Sequence, residues 1–298
     1  MLFHRRKNKQ SRRAEEFRLS REAEELIDEE FPDEDDAYLR QKRRKRRRFL
    51  FRLAIVCIAV IALNYAVLVF SGVIKVNEPR KRDYPARGAV VSDRLGEIKW
   101  GTLANRNMSY VYIQASKGTD FIDKSFEENW KRSADSELMT GAVHDFDFKK
   151  DGTAQAEHFC SLLGENISGR LYPAVDLTMN IREKIFDEDP AEVCGRISDF
   201  CDYVFDKYGC GVFLICDKNS YESYIRSDFS EALIWVISTS NEPDFCDNWS
   251  IWQYFDKEKS EGYENTGERY PLLVAKKDMT PKAVSYTHLR AHETTLHL

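Results

Sequence analysis

Asp176 closes a short apolar run, residues 171–178, that opens after Gly169. Such a run reads as a buried parallel strand, and in barrel proteins the carboxyl edge of the strands is where chemistry sits. Side chains two apart on a strand face the same way, so the position that could complete a pair of acids with Asp176 is Thr178. Glycosidic cleavage needs one acid to protonate the leaving oxygen and a second group to stabilise the oxocarbenium-like centre. A threonine hydroxyl cannot donate that proton, and losing a general acid typically costs about 10²- to 10⁴-fold in rate. Asp145 and Asp147, at the end of a second strand-like run, are the candidate substitute acids. Lys117, if it reaches the same groove, is expected to pair with Asp176 and hold it ionised. His144, Trp252, Gln253 and Thr178 complete the candidate binding set: a hydrogen-bonding ring, a stacking face, an amide that could orient a sugar amide, and a hydroxyl.

The elements that would position these residues alternate. Strands are expected over residues 88–92, 109–116, 139–146, 171–178, 210–216, 231–238 and 249–255, and helices over 121–136, 154–164 and 190–209. Pro190 suits a first helical position and Gly209 a C-terminal cap. This alternation argues a parallel α/β barrel-like sheet.

Ahead of it lies a chain of another kind. Residues 1–48 are dense in both signs of charge and end in a basic block, a composition that predicts a disordered tail. The 22 residues 53–74 carry no charge; at about 1.5 Å each they extend for about 33 Å, enough for a hydrocarbon core of about 30 Å. A single transmembrane helix is expected over 49–74. The basic block before it outweighs Lys75, Arg80, Lys81 and Arg82 after it, which places the N-terminus in the cytoplasm and the rest outside, at a plasma membrane. The block therefore reads as a membrane flank, and no nucleic-acid partner is expected. Residues 75–86 read as a short stalk and 87–280 as the folded domain.

The net charge of −5 averages these unlike parts. Of seven cysteines, Cys57 lies in the apolar run and six lie downstream, with no zinc spacing; disulfide pairing stays open. No G-x-G-x-x-G, P-loop or H-E-x-x-H motif occurs, so no cofactor and no metal is expected. Residues 283–298 do not continue the barrel pattern and read as a non-native tail, so the helical spacing of His288 and His292 is set aside.

Residues 92–100 (S-x-x-x-G-x-I-x-W), the segment 110–123, residues 141–146, Gln155–His158–Phe159, Pro173 with Asp176, and residues 249–254 occur in an order and spacing that resemble the glycoside hydrolase family 25 lysozymes. The resemblance implies a flattened, irregular (β/α) TIM-like barrel with a groove for peptidoglycan glycan strands, and cleavage after N-acetylmuramic acid by an acidic cluster. The chain departs from that cluster. Val90 stands where the family has an aspartate, Thr178 where D-x-E has its glutamate, and Ser116-Lys117-Gly118 where T-E-G is usual; Cys216 replaces a tyrosine and Tyr270 an acid. The expectation is a membrane-anchored domain that binds glycan or cell-wall proteins with little or no hydrolysis. The alternatives are a diverged active muramidase using Asp176 with Asp145 or Asp147, and a structural ectodomain that recognises protein.

Overall fold

The computed structural model describes residues 13, 15–22, 34–179, 189–229, 231–259 and 267–276. The chain forms two compact units, Met1–Leu68 and Val69–Leu298. Helix α1, Glu34–Phe70, runs through nearly all of the first unit's described length. Its Arg- and Lys-rich start consists of good helix formers, and the apolar remainder continues the same ladder. The helix therefore begins well before residue 49, taking in residues 34–48 of the expected disordered tail. From Leu53 onward it is apolar all round, with Ile55, Ile61 and Leu63 exposed, a pattern shared by membrane spans and buried core helices. It is long and apolar enough to cross a membrane, and Asn64 satisfies its amide within it by donating to the Val60 carbonyl at 2.8 Å.

The second unit is an eight-stranded mixed barrel. Its strands are β1 Arg87–Val91, β2 Tyr110–Lys117, β4 Met139–Asp145, β5 Ala174–Asp176, β6 Phe213–Cys216, β7 Leu233–Ile237, β8 Trp249–Lys259 and β9 Arg269–Ala275. They pair in that order, and β1 closes the ring by pairing with both β2 and β9. Every pairing from β1 through β8 is parallel, but β9 runs antiparallel to both neighbours. The expected all-parallel sheet is thus corrected at one strand, one whose charged and proline-bearing start hides its apolar half. A two-residue strand β3, Phe121–Ile122, folds back antiparallel on β2. It takes the place of the first turn expected for the helix over 121–136, which starts instead at Phe126.

Helices α2 Trp100–Asn105, α3 Phe126–Ser133, α4 Gly152–Leu163 and α5 Pro190–Tyr208 cover the outside. Their boundaries follow local chemistry. Asp151 and Asp189 cap α4 and α5 by accepting from Ala154 N and Ala191 N, and α5 ends at Gly209 in the left-handed conformation, φ 65°.

Inside the barrel Tyr112, Phe213 and Trp235 pack ring on ring, with Tyr112 and Trp235 centroids 4.8 Å apart. Gly141 makes room for this layer: a Cβ there would lie 2.6 Å from the Tyr112 ring.

Residues 75–86 are not a free stalk. Asn77 donates to the Ser238 carbonyl at 3.3 Å, Arg87 reaches back to Glu78 at 3.4 Å, and Tyr84 stacks on Trp249 with centroids 6.1 Å apart. Polar and aromatic side chains spaced along this stretch find partners on β8 and in the loop that precedes it. The expected domain start at residue 87 moves back to Val69.

Candidate functional site at the carboxyl rim of the barrel

Three candidate residues stand abreast on adjacent parallel strands. Lys117 on β2 is in register with Asp145 on β4, which is in register with Asp176 on β5. A β-bulge makes this possible. Between Gln114 and Ser116 the register of β2 slips by one residue, which reverses the side-chain alternation beyond it. Gln114 thus faces the barrel interior with Tyr110 and Tyr112, Ser116 faces the helices, and Lys117 faces the mouth.

Asp145 accepts a hydrogen bond from Gln114 Nε2 at 3.0 Å. Asp176 accepts from the Thr178 backbone N–H at 2.8 Å. Asp176 is only partly exposed, and burial, followed by the negative charge of Asp145, raises its pKa to about 7. The Thr178 hydrogen bonds and the Lys117 charge pull the other way and are outweighed. The expectation that Lys117 holds Asp176 ionised is therefore corrected. Lys117 is exposed and sits in register with Asp145, one strand removed from Asp176. The result is a carboxyl group that still carries its proton in a large fraction of molecules at neutral pH, beside an acid on the neighbouring strand.

The rim opens into a cleft of about 380 Å³ whose lining includes Gln114, Lys117, Asp145, Val90 and Tyr270. The two latter positions, where the resemblance calls for acids, thus face the same space as Asp145. The cleft also holds an acid that the sequence reading missed. Asp123 is 3% exposed and accepts from Asp93 N and Ser125 N, both at 2.9 Å. Burial is the main cause of its raised pKa. Its sequence signals are the Asp-Lys-Ser spacing of a side-chain-capped turn and its place at the end of the resembling segment 110–123.

Other candidates fall elsewhere. His144 alternates with Asp145 and points away from the cleft. It is fully buried between Phe159 and Phe200, with Nδ1 at 2.8 Å from Ser116 Oγ and Nε2 at 3.4 Å from Gln155 Oε1. Burial lowers its pKa to about 4, so it stays neutral. This placement gives it no access to a ligand, contrary to the binding role expected of it. Asp147 caps a turn by accepting from Lys149 N at 3.0 Å, and its own N–H donates to Gln155 Oε1 at 2.7 Å. Trp252, expected to stack on a sugar, is 2% exposed and covered by Tyr84, Trp249 and Tyr254. Its indole donates to the Ser238 carbonyl at 2.8 Å. Gln253 follows on the opposite, inward face of β8, in register with Ile237 and 9% exposed.

Among the described residues no cluster of three or more His, Cys, Asp or Glu side chains is arranged to hold a metal. The cysteines are free thiols.

Fold and rim together define a closed α/β barrel with one antiparallel strand and acidic side chains at its carboxyl edge. The sequence profile of glycosyl hydrolases family 25 matches residues 91–263, more than half of the chain, and the chain belongs to that family. It is similar to the autolytic lysozyme of Clostridium acetobutylicum, 20% identical over 183 residues (61% of this chain and 54% of that protein), and to lysozyme M1 of Streptomyces globisporus, 34% identical over 79 residues (25% of this chain). The chain thus spans about half the length of the first relative and about a quarter of the second. A family 25 glycosyl hydrolase from Bacillus anthracis has a similar structure, with a TM-score of 0.64 and 26% identity, covering 70% of this chain and 97% of that one.

Proposed function

We propose that this protein is anchored in the plasma membrane by α1, with its N-terminus in the cytoplasm and its barrel outside. The barrel holds peptidoglycan glycan strands in the rim cleft with little or no hydrolysis. The observation that carries this reading is the pair of non-acidic side chains at the rim. Val90 lines the cleft, and Thr178 donates its backbone N–H to Asp176 where a second carboxylate would stand. Two family positions for acids are thereby filled by groups that cannot transfer the proton. Lys117, Asp145, Gln114 and Gln253 offer donors and acceptors suited to hydroxyl and acetamide groups.

A second reading is favoured by one specific observation. Asp176 and Asp145 are cross-strand neighbours, and Asp176 has the raised pKa of a proton donor. A diverged muramidase could use them as acid and base. The separation of the two carboxyl groups would set the stereochemical outcome, and the spacing of about 4.8 Å between adjacent strands leaves it to the side chains. An inverting pair needs about 6.5–9.5 Å for its water, and a retaining pair flanks the bond at about 5–5.5 Å.

The test is release of reducing ends from purified peptidoglycan by the full chain in detergent micelles, beside Asp176→Asn and Asp145→Asn. The expected outcome is co-sedimentation with the wall and no release above that of the variants. Release abolished by both substitutions would replace the binding reading with the hydrolytic one.

A further inference from the structure

The charged side chains of the rim cleft are presented unequally. Among the described residues that line it, the bases Arg94, Lys117 and Arg269 are exposed, whereas the acids Asp93, Asp123 and Asp145 are buried or half-buried. The protein's own groups also engage the acids. Asp123 accepts from the backbone N–H groups of Asp93 and Ser125, both at 2.9 Å, and the Asp93 side chain lies against it. Asp145 accepts from Gln114 Nε2 at 3.0 Å. The bases keep donors to spare. Arg269 gives one N–H to the Lys257 carbonyl at 3.3 Å, out of the five that a guanidinium carries, and the Lys117 ammonium carries three. A ligand entering the cleft therefore meets positive charge first, with the negative charge set behind it.

The departures from the family pattern act in the same direction. Val90 and Tyr270 line the cleft where acids are usual, and Lys117 lines it where a glutamate is usual. Each of the first two takes a negative charge out of the cleft, and the third exchanges a negative charge for a positive one. Loss of hydrolysis alone calls for no more than neutral replacements; a lysine at the mouth adds a binding group. We infer that the cleft takes an anionic saccharide, a wall glycan whose repeat carries carboxylate or phosphate, in preference to a neutral strand of the same length. The oxygens of either anion suit both the guanidinium fork of Arg269 and the ammonium of Lys117. Because these side chains are exposed to water, each contact is worth only a few-fold in affinity, and the two together about tenfold.

This inference rests on the glycan-binding reading and names the chemistry of its ligand. The full chain in nonionic detergent micelles is titrated with fluorescently labelled hexasaccharides: one of N-acetylglucosamine, one alternating N-acetylglucosamine with N-acetylmuramic acid whose lactyl carboxylates are free, and one of N-acetylglucosamine phosphorylated at O6 of alternate residues. At low salt an anionic hexamer is expected to bind about tenfold tighter than the neutral one, and whichever of the two anions binds tighter identifies carboxylate or phosphate as the source of the charge. The advantage should vanish at about 1 M salt, where the screening length falls to about 3 Å. Lys117→Glu with Arg269→Glu should abolish it while affinity for the neutral hexamer is unchanged, and Lys117→Arg should retain it. Equal affinity for neutral and anionic hexamers, or a preference that survives the double substitution, overturns the inference and leaves glycan binding standing. Binding of no hexamer, with co-sedimentation with the wall also absent, overturns both.

Discussion

Replacing Asp176 with asparagine tests the electrostatics of the rim directly. Asp176 ordinarily titrates at 3.8 and in the folded chain at about 7. That gap corresponds to about 4 kcal/mol of penalty on its charged form. The side chain is partly exposed and water screens part of this, so we expect about 2 kcal/mol to be measurable. The sign follows from proton binding: between these two pKa values the folded state keeps a proton that the unfolded chain has released, so stability falls as pH rises from about 4 to about 7 and is level above that. His144 acts oppositely. Its pKa drops from 6.5 to about 4 on burial, so it removes stability as pH falls through the same window, and the two slopes mask each other in the wild type. The difference between wild type and Asp176→Asn cancels the histidine. Urea unfolding of Val69–Leu298 should show equal stability at about pH 4, where asparagine mimics the protonated acid, and a variant more stable by about 2 kcal/mol at about pH 8. A difference that does not change with pH would refute the assignment of a buried, proton-holding carboxyl to the rim.

Three further outcomes follow from the same geometry. The double substitution Val90→Asp with Thr178→Glu puts acids at two positions where the family resemblance calls for them and should raise reducing-end release from peptidoglycan, a general acid being worth about 10²- to 10⁴-fold; unchanged release would mean that the barrel has lost more than its acids. Trp252→Ala removes a buried indole under Tyr84 and should destabilise the domain by roughly 3–5 kcal/mol, read as a lower urea midpoint, while glycan binding by the molecules that remain folded is unchanged. Arg170 donates to Ser133 Oγ and to the Trp130 carbonyl, both at 2.7 Å, and lies 4.1 Å above the Trp130 ring. Arg170→Ala should therefore cost roughly 2–4 kcal/mol, measured in the same way, whereas a loss under about 0.5 kcal/mol would show the pocket to be solvated.

The sequence by itself determined the elements whose period and punctuation are local. The uncharged run 53–74 lies almost wholly in a helix, Pro190 and Gly209 bound α5 as their backbone preferences require, and the apolar run ending at Asp176 is a central strand of the sheet. It also placed Asp176 at a carboxyl edge. Tertiary structure decided which way the side chains face and what lies beside them. The bulge in β2 turns Lys117 into the mouth and Ser116 onto His144, because one inserted residue inverts every position beyond it and no periodicity announces it. Register brought Asp145 beside Asp176 and so set the latter's pKa, a long-range Coulomb and burial effect that composition does not encode. Strand β9, antiparallel to both of its neighbours, closed the ring. The packing of residues 72–86 onto β8 was hidden for the same reason: a stretch that reads as a polar linker acquires its structure from partners more than a hundred residues away, at Ser238, Trp249 and Glu258.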